Sequence, residues 1–158
     1  MKTIASFTID HIRLLPGIYV SRVDQVGDHV LTTFDIRMTA PNRETVLSTG
    51  AIHAIEHIGA TYLRCESPLA PVTIYWGPMG CLTGFYAIFA GELKPMDIAQ
   101  EIKSIYEAVC RHEGPIPGAT PEGCGNYSDM DLEEAKKASA KYLEILNNLD
   151  DAHTIYPQ

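Results

Sequence analysis

Three observations predict an α+β fold, a mainly antiparallel sheet with helices packed on it in a two-layer sandwich. Hairpin-like stretches with period-two alternation come first. Segments with helical periodicity are then interspersed with further short strands, and no repeat, low-complexity tract or composition break divides the 158 residues. Apolar residues make up 46% of the chain, enough for one core, so residues 1–158 are read as a single domain.

Taken in order, residues 5–12 and 17–23 read as strands. Residues 29–39, HVLTTFDIRMT, place Val30, Thr32, Phe34, Ile36 and Met38 on one side, with Asp35 and Arg37 on the other. That alternation predicts a half-buried strand, ended by Pro41-Asn42. The first helix starts at Ser48 or Thr49, either of which suits an N-cap, and runs to about Arg64, before Ser67-Pro68. PVTIYW at 71–76 is a further strand. Phe85 to Ala90, apolar on both faces, suits a central one.

A second helix follows Pro95, with Ile98, Ile102, Ile105 and Val109 at helical spacing, and ends near Gly114. The third opens at Asp131 with Glu134 three residues on, similar to a capping box. It carries Leu132, Ala135, Tyr142, Leu143 and Leu146 on one face. Between these helices lies HEGPIPGATPEGCGNY, residues 112–127. A Pro- and Gly-rich loop of this length in a compact domain is usually functional or disordered, and this one ends by delivering Cys124.

The formal charge of −8 argues against a nucleic-acid backbone or an anionic membrane as partner, since both select clustered Lys and Arg. Lys136, Lys137 and Lys141 share their helix with Glu133, Glu134 and Glu144 and read as a solvated face with helical ion pairs. No apolar window approaches a membrane span, and MKTIASFTIDHIRLL has no continuous apolar region of the signal-peptide kind. The expected setting is the cytoplasm. The cysteines at 65, 81, 110 and 124 form no CxxC pair and are read as thiols. Cys65 and Cys110 read as packing residues; Cys81 and Cys124 have other surroundings.

The stretch GAIHAIEHIG, residues 50–59, concentrates chemistry. At about 100° per residue, His53 and His57 fall on one flank with Glu56 beside them, while Ile52, Ile55, Gly59 and Leu63 form an apolar side. Histidines at i and i+4 can share one ion, and Glu56 can reach what the ion binds without being a ligand. Two helix histidines with local hydrogen bonds are the plainer alternative. The pattern HxxEH is also that of the inverted zinc peptidases, so spacing alone leaves the chemistry open. A second signal is GPMGCLTGFY at 77–86, where Gly80 and Gly84 bracket Cys81. The thiol is expected on a tight turn between two strands, placed for a nucleophile or proton carrier.

Together these segments resemble S-ribosylhomocysteine lyase, the LuxS family that makes the precursor of autoinducer-2. The resemblance runs in order through SFTIDHIRL at 6–14, FDIRMTAPNRE at 34–44, GAIHAIEHIGATYLR at 50–64, GPMGCLTGFY at 77–86 and CGNYSDMDLEEAK at 124–136. It implies that His53, His57 and Cys124 bind one divalent metal per subunit. In this family that ion is typically Fe(II), with zinc or cobalt as substitutes. It implies Cys81 and Glu56 as catalytic acid/base groups, and Ser6, His11 and Arg37 near the substrate. It also implies a homodimer whose subunits share each site. The sequence departs from the common family pattern at Ile74-Tyr75-Trp76-Gly77, where many members have Ile-Asp-Ile-Ser, at Leu82, where Arg or Gln is common, and at Thr33, where Lys often occurs.

Two other readings accompany this one. A metallopeptidase of the HxxEH type would take a downstream carboxylate, Glu133 or Glu134, as third ligand. A non-catalytic metal-binding relative would keep the ligands and lose turnover.

Overall fold

The structure, a computed structural model, describes Ile4 and residues 7–157. Four strands, β1 (Gly17–Val26), β2 (His29–Arg37), β3 (Thr73–Pro78) and β4 (Gly84–Ala90), form one antiparallel sheet in the order β1-β2-β4-β3. The helices α1 (Thr49–Cys65), α2 (Pro95–Arg111) and α3 (Leu132–Leu146) pack on it, which gives the expected α+β sandwich. Among the described residues, no helix is long and apolar enough to cross a membrane.

The core lies between these layers. Phe34, Ile36, Phe85, Ala87 and Phe89 from the interior strands meet Ile55 and Ile58 of α1 and Ile98, Ile102 and Ile105 of α2. Trp76 of β3 stacks on Phe85 at 4.6 Å between ring centres. Helix α1 reaches it because position 59 is glycine: a Cβ there would lie 2.6 Å from Trp76 Nε1. Ser48 caps α1 by accepting from the Ala51 N–H at 3.2 Å, and Asp131 caps α3 by accepting from the Glu134 N–H at 2.9 Å.

Four expectations are corrected. The described part of residues 5–12 forms turns, because the Asp10 carboxylate accepts from the Ile12 and Arg13 N–H groups at 3.0 and 3.2 Å and holds the chain in a local turn. Ser6 lies outside the described residues. Strand β2 is buried on both faces from Thr32 to Arg37, since the chain's C-terminal segment and the β3–β4 turn cover its Asp35/Arg37 side. Cys65 ends α1 exposed rather than packed, whereas Cys110 is half-buried and its thiol is pushed up by burial. Lys136 and Lys137 pair within α3 with Glu133 and Glu134, but Lys141 reaches across to Glu44 at 2.6 Å.

Candidate metal centre and the Cys81 cavity

The apolar side of α1 packs toward the sheet and α2, so its opposite flank carries His53, Glu56 and His57 half-exposed. The 112–127 loop folds back onto that flank. Its Ile116 is buried in the core as an anchor, and turns at Ile116–Ala119 and Thr120–Cys124 follow. Cys124 thereby arrives with Sγ 3.3 Å from His53 Nε2. One donor atom from each of His53, His57 and Cys124 lies within 4.8 Å of the others.

These residues fit a metal ion. Around a tetrahedral ion with bonds of about 2.0–2.1 Å to imidazole and 2.3 Å to thiolate, nitrogen and sulfur sit about 3.5 Å apart. The His53–Cys124 separation is close to that value. His57 Nδ1 donates to the Pro117 carbonyl at 2.7 Å, and a carbonyl only accepts, so Nδ1 carries the proton and Nε2 keeps its lone pair for an ion. Gly118 permits that contact, having φ +71° and room for a Cβ only 3.2 Å from His57 Nδ1. Asp129 Oδ2 stands 3.7 Å from His53 Nδ1, and the Asn126 N–H donates to Cys124 Sγ at 3.4 Å. The two imidazoles meet edge to face, 5.0 Å apart.

Glu56 and His57 line a cleft with Ala60, Pro117, Gly118 and Gly123. Among the described residues, the Glu56 carboxylate takes no hydrogen bond or ion pair, which leaves it free to handle a proton. The carboxylates of Glu133 and Glu134 point instead to Lys136 and Lys137, so the third donor beside the histidines is Cys124.

Cys81 lies elsewhere, on the turn between β3 and β4, as expected. The turn closes with the Met79 N–H donating to the Gly84 carbonyl and the Leu82 N–H to the Met79 carbonyl. Its left-handed backbone falls on Leu82, at φ 59°, and not on a glycine. Gly84 has another cause: a Cβ would meet the Ile36 carbonyl at 2.1 Å, where β4 presses on β2. Cys81 Sγ is 3.0 Å from Thr83 Oγ1 and 3.8 Å from Arg37 Nη1. Arg37 also donates to Thr83 Oγ1 at 2.6 Å and twice to Asp35, at 3.0 and 2.5 Å. Burial works against the guanidinium charge, but the Asp35 charge and hydrogen bonds outweigh it and raise the Arg37 pKa.

His11, Arg37 and Cys81 line one cavity of about 250 Å³. Among the described residues, it shares none of its lining with the Glu56/His57 cleft. One chain therefore brings together two groups of site residues and keeps them apart. Sequence reasoning missed Asp35, Thr83, Pro117 and Asp129, whose roles arise from contacts between distant segments. Asp35 alone left a signal, as an acid two residues from Arg37 on one strand side. At the departing segment, the Tyr75 phenol folds over Gly77 so closely that a Cβ there would lie 2.0 Å from its Oη.

Fold and site define an α+β domain with a two-histidine, one-cysteine candidate metal centre and a separate thiol in a polar cavity. A family model described as S-ribosylhomocysteinase (LuxS) matches residues 4–152. Proteins named S-ribosylhomocysteine lyase are similar to this chain over its length. That of Finegoldia magna is 54% identical over 100% of both chains. That of Phocaeicola vulgatus is 54% identical over 99% of this chain and 98% of its own, and that of Clostridium beijerinckii 51% identical over 99% of each. The chain belongs to the S-ribosylhomocysteinase (LuxS) family.

Proposed function

We propose that this protein is a metal-dependent carbon–sulfur lyase that cleaves S-ribosylhomocysteine to homocysteine and 4,5-dihydroxypentane-2,3-dione, the autoinducer-2 precursor. The observation that carries the reading is the convergence of His53, His57 and Cys124 beside an unpartnered Glu56, in a chain matched to the family almost end to end. A divalent ion held there, Fe(II) in our reading with zinc or cobalt able to replace it, would supply Lewis acidity for neighbouring sugar oxygens.

The reaction moves a carbonyl from C1 to C2 and then C3, each time by taking a proton from the carbon that becomes the carbonyl and returning one to the carbon that was. With the carbonyl at C3, loss of the C4 proton expels the homocysteine sulfur from C5. Electrons stay within the substrate, so the protein supplies proton carriers. Cys81 serves the early shifts, with the Arg37 guanidinium as a donor toward the sulfur whenever it bears negative charge. Glu56 serves the later shift and the elimination. Ser6, His11 and Arg37 contact the substrate in this reading; His11 and Arg37 line the Cys81 cavity.

A homodimer completes the proposal. Because the Glu56/His57 cleft and the Cys81 cavity share no lining within one chain, the shared-site arrangement has a second subunit supply Cys81 to each ion. All four cysteines are free, which suits the cytoplasm and a thiolate ligand. The test is release of homocysteine thiol from S-ribosylhomocysteine by anaerobically purified, Fe(II)-loaded protein, with Cys81→Ala in parallel. Release that disappears in the variant is the expected result. A folded, metal-replete protein that releases none discards the lyase reading and leaves a non-catalytic metal-binding relative.

A further inference from the structure

The C-terminal segment beyond the family match, which ends at residue 152, builds part of the Cys81 cavity. A short 3-10 turn at Asp151–His153 lies against the start of β1, where Gly17 leaves no room for a Cβ beside the His153 carbonyl, at 2.1 Å. The Tyr19 hydroxyl is bonded to the Ala152 carbonyl at 3.1 Å, and the buried Tyr142 hydroxyl donates to the Gly17 carbonyl at 2.7 Å. Held this way, the segment stacks Tyr156 on Tyr19, with ring centres 4.8 Å apart and planes 6° from parallel. The Tyr156 hydroxyl then donates to Asp35 Oδ2 at 2.9 Å.

That bond completes a chain of contacts. Asp35 grips Arg37 through both carboxylate oxygens, and Arg37 reaches Thr83 and Cys81. Burial and the Asp35 charge push the Tyr156 pKa up, so the phenol keeps its proton and remains a donor.

We propose that Tyr156 is a positioning residue for Cys81: its hydroxyl fixes the Asp35 carboxylate, which orients Arg37 beside the thiol, so the C-terminal segment is part of the catalytic cavity. The assignment rests on the role given to Cys81 above. Tyr156→Phe keeps the stacked ring and removes only the hydroxyl, and two readouts on the full-length, metal-loaded protein follow its effect. In one, site-resolved alkylation by iodoacetamide at pH 7 compares Cys81 with the exposed Cys65 as an internal reference. In the other, kcat and KM are measured on S-ribosylhomocysteine.

A lost hydrogen bond to a charged group corresponds to an effect of about tenfold or more. The expected results are a Cys81/Cys65 alkylation ratio that falls severalfold and a kcat that falls about tenfold, with metal content unchanged. An unchanged ratio with unchanged kcat overturns the proposal. So does a lowered Tm with both readouts intact per folded molecule, which would make Tyr156 a structural residue only. If the wild-type protein releases no homocysteine, the lyase reading fails by itself, and the alkylation ratio alone then decides whether Tyr156 positions Arg37 against the thiol.

Discussion

At the scale of single residues, His57 shows how the folded backbone orients a candidate ligand. Its Nδ1–H is committed to the Pro117 carbonyl, and Gly118 is the residue that lets that backbone close in. Gly118→Ala would add a Cβ at φ +71°, pressed 3.2 Å from the ring nitrogen. We expect about tenfold weaker metal binding with the fold retained, because partners behind a ligand typically contribute 10–100-fold. Metal titration of the variant by competition with a chelator checks this. The pair His53/His57 and the offset of Glu56 were legible in the sequence, since helical spacing alone fixes their flank. Pro117 and Asp129 were not, because no local pattern announces which backbone carbonyl or carboxylate a folded loop will bring to a ring nitrogen.

Among the elements, the packing of helices on the sheet was readable from periodicity, and its errors have local causes. The alternation in residues 7–12 imitates a strand, yet the Asp10 side chain satisfies two backbone N–H groups and turns the chain. The charges on α3 look self-contained, yet Lys141 leaves its helix for Glu44, which also accepts from the Ala40 N–H. Partial burial raises the Glu44 pKa, but that N–H and Lys141 outweigh it, and the net shift is downward. A lowered carboxyl pKa stabilises the fold above the unfolded value and loses that contribution as pH falls through the folded one. Glu44→Gln should therefore cost about 1 kcal/mol or less at pH 7, given the pair's exposure. The difference from wild type should shrink in acid, as pH falls through the lowered Glu44 pKa. Urea unfolding of both proteins at neutral and acid pH measures it.

For the whole molecule, the separation of the two groups of site residues is the decisive feature. Strand order and helix packing put the His/His/Cys flank of α1 on one side and the β3–β4 turn with Cys81 on another, with no lining shared between their cavities. In the proposed homodimer with shared sites, heterodimers purified through two tags, one subunit carrying His57→Ala and the other Cys81→Ala, would contain one intact site and one doubly damaged one. They should regain about half the wild-type activity, whereas either variant alone should be inactive. No recovery in a purified heterodimer would place each working site within one chain. The sequence held both groups as motifs but could not say that folding parts them, since that depends on which sheet face each turn meets.

The Tyr75 ring seated over Gly77 ties two neighbouring positions together. The ring occupies its place only while position 77 lacks a Cβ, which would otherwise stand 2.0 Å from the phenol oxygen. A side chain at 77 would meet only the far end of that exposed, flexible tyrosine, so the ring would swing away while the strand kept its course. Restoring serine alone would evict the tyrosine. The glycine thus sets where the phenol rests, and the tyrosine's surface position is the part that position 77 controls.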